Sequence, residues 1–238
     1  MTFNVATLQL ATSDDFQYNL KKYLDIIDTL ESDIIVAPEV YFTDFAYDRF
    51  DESVAFSQMA LKKIVKKSQN KTLCFTMNVK EDDNYYNQGF IIHNQKIIHT
   101  QKKYKLFTIG EEIQHYSAGK KEHIQVVEVG GIKIAMLICF ELRFKELWKA
   151  IEGVDIILIP AKWGKLRKKH LEILSQALAV MNQSFVVVAD SSDEDMAKSS
   201  AIISPFGEVV MDDDASVIES ECNLEEIKKM RRYLKVYE

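Results

Sequence analysis

In the stretch MLICFELRFKE, Met136 to Glu146, an apolar run leads straight into Cys139 and gives way at once to Glu141, Arg143 and Glu146. A thiol does nucleophilic chemistry as its thiolate, so its surroundings decide whether it is reactive or inert. The apolar residues up to Ile138 read as a buried strand. The charged stretch that follows, with Leu142, Leu147 and Ile151 interleaved, reads as a helix. A cysteine at such a junction meets free amide groups and the positive end of the helix dipole, and the junction favours a thiolate. The other two cysteines lack that placement: Cys74 lies inside the strand-like TLCFTMNV as a small core residue, and Cys222 in ESECNLEE reads as a surface thiol or a helix-start residue.

A nucleophilic thiol needs a base. The five histidines do not supply one by pattern: His93, His99 and His123 fall on or beside hairpin strands, His115 lies in an irregular stretch, and His170 sits on a helix among lysines. His115 and His170 are the two that a pocket could include. Two other residues are oddly placed for packing alone. DIIVAPEV ends an apolar strand in Glu39, a carboxylate that would titrate high if buried there. KIIHTQKKYKLF ends a hairpin strand in Lys103, among aromatic and aliphatic neighbours. Singly, each reads as a rim charge. Together with Cys139 they are three strand-end residues that one sheet edge can gather, which is how α/β sites are built.

The elements that must position them alternate along the chain. Strands are expected at FNVATLQL, DIIVAP, TLCFTMNV, QGFIIHN, KIIHTQKK, HIQVVEV, IKIAMLI, DIILIP, FVVVAD and ASVIES, with a late hairpin at SAIISPFGEVV. Helical spacing runs through DDFQYNLKKYLDIIDTLE, SVAFSQMALKKIVKKSQ, the stretch after Cys139, residues 166–182 and the segment from about Asn223. Residues 107–121 read as irregular, turns fall at EDDN, Asn94-Gln95 and Gly130-Gly131, and no internal repeat is visible. The alternation implies an α/β chain with mixed sheets, and 238 residues that are 47% hydrophobic suit one domain over residues 1–238. A net charge of −6 argues against a nucleic-acid partner for the basic clusters KKIVKK, KKYK and KLRKKH. No apolar run approaches the roughly 20 residues that span a bilayer, and the N-terminus is unlike a signal peptide, so no membrane association and a cytoplasmic location are expected.

VAPEVYFTDF, QKKYKLF and LICFELRFKE, in that order, resemble the three signature segments of the nitrilase superfamily of carbon-nitrogen hydrolases. The resemblance implies a Glu-Lys-Cys triad at Glu39, Lys103 and Cys139, and a second glutamate seven residues before a glycine, matched by Glu112 and Gly119 in EEIQHYSAG. LIPAKWGKLRKKHLEILSQALAVMNQSFVVV resembles the family's Trp-containing loop and following helix, and SSAIISPFGEVV its late hairpin, so the similarity covers nearly the whole chain. Asp44 and Lys198 stand where relatives often have glycine, Lys105 where they often have histidine, and Lys145 where they often have proline.

What the resemblance implies is a four-layer α-β-β-α sandwich, associating as a homodimer by extending its sheets. It also implies an amidase acting on a small-molecule amide with no metal and no organic cofactor. Such chemistry needs thiolate attack, a stabilised oxyanion, a protonated leaving amine and an activated water. Glu39 would shuttle the proton, Lys103 and the backbone N–H of Phe140 would hold the oxyanion, and Glu112 would keep Lys103 charged. Tyr41, Phe42, Phe45, Phe107 and Trp163 are candidate pocket walls, and Arg143 and Glu146, three apart, read as a local ion pair. PEVYFTDFA, EEIQHYSAG and ICFELRF look closest to the ω-amidase-like branch, whose substrates are ω-amides of 2-oxo dicarboxylic acids. An N-carbamoyl amidohydrolase or a nitrilase would use the same triad. A non-catalytic scaffold or a thiol redox sensor is the alternative of another class, disfavoured by the intact triad and by the weak placement of Cys74 as a resolving thiol.

Overall fold

Period-two alternation sorts each central strand's side chains into two cores. Along β1 (Thr2–Leu8), Phe3 and Val5 join one buried cluster while Ala6 and Leu8 join another. The same division runs through β2 (Ile34–Val36), β3 (Thr72–Glu81) and β4 (Asn84–His93): Val36, Cys74 and Ile91 go one way, Ile35, Leu73, Phe75 and Phe90 the other. The second set meets the apolar stripes of α1 (Phe16–Thr29), which presents Phe16, Leu20, Tyr23 and Ile27, and α2 (Phe50–Lys67), which presents Phe56, Ala60 and Ile64. Asp15 caps α1 by accepting from the N–H groups of Gln17 and Tyr18.

The first set faces a second sheet. In this computed structural model, which describes residues 1–236, the first sheet has the order β12-β1-β2-β3-β4-β5, with β5 at Lys96–Lys102 and β12 at Val217–Asn223. The second has the order β11-β10-β9-β8-β7-β6, built from β6 (Val127–Val129), β7 (Ile132–Met136), β8 (Ile156–Pro160), β9 (Phe185–Ala189), β10 (Ala201–Ile203) and β11 (Val209–Met211). The sheets touch through Phe3 against Phe185, the Cys74 thiol against Met136 Sδ at 3.5 Å, and the Thr7 hydroxyl donating to the Val188 carbonyl. The second sheet is covered by α5 (Lys168–Asn182), which buries Leu171, Leu178 and Ala179, beside α4 (Lys145–Ala150). The architecture is the expected four-layer α-β-β-α sandwich with mixed sheets. A final helix, α6 (Leu224–Tyr233), buries Ile227 and Met230.

Several expectations are corrected. HIQVVEV is strand only over its last three residues, because residues 121–123 form a 3-10 turn. The irregular stretch contains a one-turn helix, α3 (Glu112–His115), too short to carry a periodic signal. Cys139 opens a 3-10 turn, Cys139–Arg143, and α4 starts only after Phe144. Cys222 is fully buried on β12. Tyr41 and Phe42 are also fully buried: their rings pack edge-on with each other, and Phe42 meets Tyr23 and Phe75, so both belong to the core under α1 and α2 and neither lines a pocket.

The sheets repeat one topology that leaves no trace in the residues. Taken as β12-β1-β2-β3-β4-β5 and β6-β7-β8-β9-β10-β11, both pair antiparallel, parallel, parallel, antiparallel, antiparallel. The family's glycine and proline positions also find local reasons. Asp44 and Lys198 both have left-handed backbone, at φ 55° and 53°, where glycine is unstrained. Lys145 is the first residue of α4, a position that suits proline.

Candidate active site

Each of the predicted triad residues follows the end of a strand, and each is buried. After β2 the chain is pinned by the N–H of Ala37 donating to the Cys74 carbonyl and the N–H of Glu39 donating to the Ala161 carbonyl. Val40 then turns at φ 44°, a strained value for a β-branched residue, with its N–H held by the Thr76 hydroxyl at 2.7 Å. Lys103 lies just beyond β5, its N–H donating to the Asn87 carbonyl and its own carbonyl accepting from Gly119. The Gly119 contact requires glycine, since a Cβ there would fall 2.2 Å from the Lys102 carbonyl oxygen. That close approach brings the α3 loop, and Glu112 with it, back over Lys103.

The side chains converge on Lys103. Its ammonium donates to Glu39 Oε1 at 2.8 Å and to Glu112 Oε1 at 2.6 Å, with all three groups out of solvent. Asn87 Nδ2 donates to Glu39 Oε1 at 2.7 Å, and the Phe107 N–H donates to Glu112 Oε2 at 2.8 Å. Glu39 Oε2 is buried with no hydrogen-bond partner among the described residues. Although burial opposes its charge, Glu39, Glu112 and Cys139 raise the pKa of Lys103, so it stays an ammonium. Burial raises Glu39, against the pull of Lys103, and Glu112 adds to the rise.

Cys139 has φ 48°, so the nucleophile candidate sits on a strained elbow between β7 and its 3-10 turn. The first amides of that turn, including Phe140 N–H, have no acceptor within it. The expectation of a resting thiolate is corrected. Burial and the Glu39 carboxylate push the Cys139 thiol well up, against Lys103 and a hydrogen bond from the Lys162 N–H. One turn is too short to offset a buried site beside two carboxylates. The thiol needs a base at the moment of reaction.

A cavity of about 380 Å³ opens onto these groups, lined by Glu39, Glu112, Cys139 and Phe140 and walled by Phe45, Tyr47, Phe107 and Trp163. Of the expected wall residues the cavity is lined by Phe45, Phe107 and Trp163, and the Phe140 side chain, expected only to offer its N–H, lines it as well. Tyr47 was missed, although it stacks on His115 at 4.3 Å between ring centroids. Arg143 and Arg167 also line the cavity. The Arg143 guanidinium lies 4.8 Å from the Trp163 ring centroid and donates to His170 Nδ1 at 3.1 Å; Arg167 lies 5.0 Å from the Phe107 ring centroid. Among the described residues neither has a carboxylate partner. The expected Arg143–Glu146 pair does not form, because the break before α4 turns them apart and Glu146 pairs with Lys105 at 3.3 Å.

Three other buried groups were not assigned a role from the sequence. Lys162 is held between Asp44 Oδ1 at 2.7 Å and Asp193 Oδ2 at 2.9 Å. Asp190 Oδ1 accepts the Trp163 N–H at 2.8 Å, and Glu141 accepts the N–H groups of Tyr104 and Ile138. Among the described residues no cluster of His, Cys, Asp or Glu could hold a metal ion, and no helix is long and apolar enough to cross a membrane.

Comparison with known proteins gives the family and the fold. The profile of the carbon-nitrogen hydrolase family matches residues 4–232. A 2-oxoglutaramate amidase of Bacillus subtilis is 28% identical over 235 residues, covering 92% of this chain and 90% of its own. An omega-amidase of Escherichia coli K12 is 27% identical over 208 residues, covering 84% and 80%. The fold superposes on a carbon-nitrogen hydrolase superfamily protein of Xanthomonas campestris with a TM-score of 0.86 at 19% identity, covering 99% of this chain and 96% of that one.

Proposed function

The chain belongs to the carbon-nitrogen hydrolase family, and from that premise we propose that it is a cysteine amidohydrolase using Glu39, Lys103 and Cys139 on a small carboxamide that carries an acidic group. The observation that carries the reading is the buried Lys103 ammonium, fixed between Glu39 and Glu112, which line one cavity together with Cys139. Glu39, whose Oε2 is unengaged, takes the thiol proton as sulfur attacks the amide carbon. The oxyanion then forms against Lys103 and the Phe140 N–H. Glu39 passes its proton to the nitrogen, ammonia leaves, and a thioester remains on Cys139. Water attacks the thioester as Glu39 again removes a proton; the tetrahedral intermediate then expels sulfur, Glu39 returns that proton to it, and the acid product leaves, losing its own proton to solvent. Glu112 keeps Lys103 charged and in place.

The two guanidiniums without acidic partners set the substrate class. Arg143 and Arg167 can receive a carboxylate at the far end of the cavity's ligand, bidentate geometry being the arginine preference. An ω-amide of a 2-oxo dicarboxylic acid has that shape, and the ω-amidase names of the relatives support it. Assembly as a homodimer is part of the same proposal and rests on the family resemblance.

The test is ammonia release from 2-oxoglutaramate, glutamine, butyramide and carbamoyl amino acids, with wild type and Cys139→Ala side by side. Turnover of 2-oxoglutaramate that disappears in Cys139→Ala is the expected result. Carbon dioxide released together with ammonia would move the enzyme to carbamoyl substrates, and turnover surviving in Cys139→Ala would overturn the mechanism.

A further inference from the structure

Glu141 is a fully buried carboxylate that none of the steps above uses. Its Oε1 accepts the Tyr104 N–H at 2.6 Å and its Oε2 accepts the Ile138 N–H at 2.7 Å. Among the described residues it forms no ion pair, so its whole hydrogen-bonding capacity is spent on backbone. The identity of that backbone is what matters. Tyr104 directly follows Lys103, Ile138 directly precedes Cys139, and Glu141 itself directly follows Phe140. One carboxylate therefore ties together the two segments, residues 103–104 and residues 138–141, that carry the nucleophile and both oxyanion donors.

Those segments come from different sheets. Lys103 lies beyond β5, at one edge of the first sheet, whereas Cys139 and Phe140 follow β7 in the second. Nearby, the sheets are also tied by Gln101 Nε2 donating to the Met136 carbonyl at 3.2 Å, a longer bond between neutral groups. Sliding of one sheet over the other would change the distance between the Lys103 ammonium and the Phe140 N–H, and the Glu141 bonds oppose that slide where it would matter. The side-chain type fits the task. The two N–H donors approach different oxygens, and a carboxylate presents an acceptor at both places whereas an amide presents one acceptor and one NH₂. Burial raises the Glu141 pKa to about 7, with the N–H bonds from Ile138 and Tyr104, the Lys103 charge and the Lys105 N–H pulling against it, so the ionised form that accepts both bonds is available at neutral pH.

We propose that Glu141 is a positioning residue that locks the Lys103 ammonium and the Phe140 N–H at the spacing at which both reach one oxyanion. The role rests on the amidohydrolase reading and is separable from it by experiment. Glu141→Gln keeps the shape but turns an NH₂ toward one of the two N–H donors, and Glu141→Asp keeps two oxygens on a shorter stem. Both variants and wild type are assayed for steady-state turnover of the best amide and for alkylation of Cys139 by iodoacetamide, followed by intact mass. Displacement of iodide at a methylene forms no oxyanion, so alkylation reports the thiol and its access alone. Misplacement of a catalytic group by about 1 Å costs about a hundredfold, so kcat is expected to fall about 30- to 100-fold in Glu141→Gln. KM and the alkylation rate should stay within about threefold, because substrate binding and the thiol are untouched. Glu141→Asp, which can hold both bonds only by shifting backbone, should fall between the two, and it carries the test if the glutamine variant does not fold. Unchanged kcat in both variants, or kcat and alkylation falling together, would overturn the role. No amide turnover by wild type would instead overturn the hydrolase reading, and this role with it.

Discussion

Asp190→Asn separates a buried neutral acid from a buried carboxylate behind Trp163, a wall residue of the cavity. Asp190 is the first residue after β9 and fully buried; Oδ1 accepts the Trp163 N–H at 2.8 Å and Oδ2 the Ser199 N–H at 3.3 Å. Burial raises its pKa from 3.8 to about 7, against the N–H bonds from Trp163, Ser199 and Ser191. The sign of the pH effect follows. Between about pH 4 and pH 7 the folded chain keeps a proton that the unfolded chain has lost, so this residue's contribution is present at low pH and disappears as pH rises through 7. Integrating between those two values gives roughly 3 kcal/mol at pH 5 and almost nothing at pH 8. Asparagine abolishes that titration and adds a pH-independent loss of about 1–3 kcal/mol, because its NH₂ faces one of the two N–H donors. Wild type is therefore more stable throughout, and its margin over Asp190→Asn narrows by roughly 2–3 kcal/mol between pH 5 and pH 8. Urea unfolding followed by tryptophan fluorescence at pH 5, 6, 7 and 8 measures the margin. A margin that is constant, or that widens with pH, would show that the two N–H donors hold Asp190 ionised throughout and would refute the argument.

Two more substitutions test the charge arrangement of the site. Glu112→Gln leaves the Lys103 ammonium with Glu39 as its sole carboxylate; kcat should fall about 10²- to 10³-fold with KM nearly constant, as expected for a displaced oxyanion donor, and steady-state kinetics on the best amide checks it. Arg143→Met removes a guanidinium that has no internal acid; KM for a carboxylate-bearing amide should rise about a hundredfold while turnover of butyramide changes less than about threefold, so that equal effects on both amides would exclude a carboxylate contact.

The parts of this molecule that the sequence made legible are those that repeat with a period. The unbroken apolar run at residues 34–36, the strand-like run at residues 72–79 and the helical stripe of Phe16, Leu20, Tyr23 and Ile27 mark what is buried, and burial follows them closely. Strand ends are legible for a related reason: Glu39 and Cys139 end apolar runs and Lys103 precedes an aromatic and aliphatic stretch, and such a change of residue type is visible without knowing what it faces. Aromatic residues near those ends carry no such information. Tyr41 and Phe45 lie four positions apart in one loop, yet one is core and the other cavity wall, and only the turn at Val40 decides between them. Glu141 and Asp190 were illegible because their partners are backbone N–H groups, which every residue but proline possesses and which leave no mark on residue type.

Strain explains why the site lies where the two halves of the fold differ. Both sheets repeat the same pairing order, so β2 corresponds to β8 and β1 to β7, yet Glu39 follows β2 and Cys139 follows β7. Catalytic groups therefore do not occupy equivalent places in the halves. The loop equivalent to that of Glu39 supplies Lys162 and Trp163, whose backbone N–H groups bond Cys139 and Asp190. What marks the Glu39 and Cys139 loops is left-handed backbone at non-glycine residues, φ 44° at Val40 and φ 48° at Cys139. Conformations of this kind cost about 1–3 kcal/mol each and persist only where the surroundings over-determine them. Here the determinants are visible: Thr76 and the Ala161 carbonyl fix the Val40 turn, and the backbone N–H of Glu141, donating to the Ile138 carbonyl at 3.0 Å, closes the turn that holds Cys139. A glycine at either position would remove the strain together with the side chain that the strain presents: at 139 the nucleophile itself, and at 40 a buried valine beside Glu39.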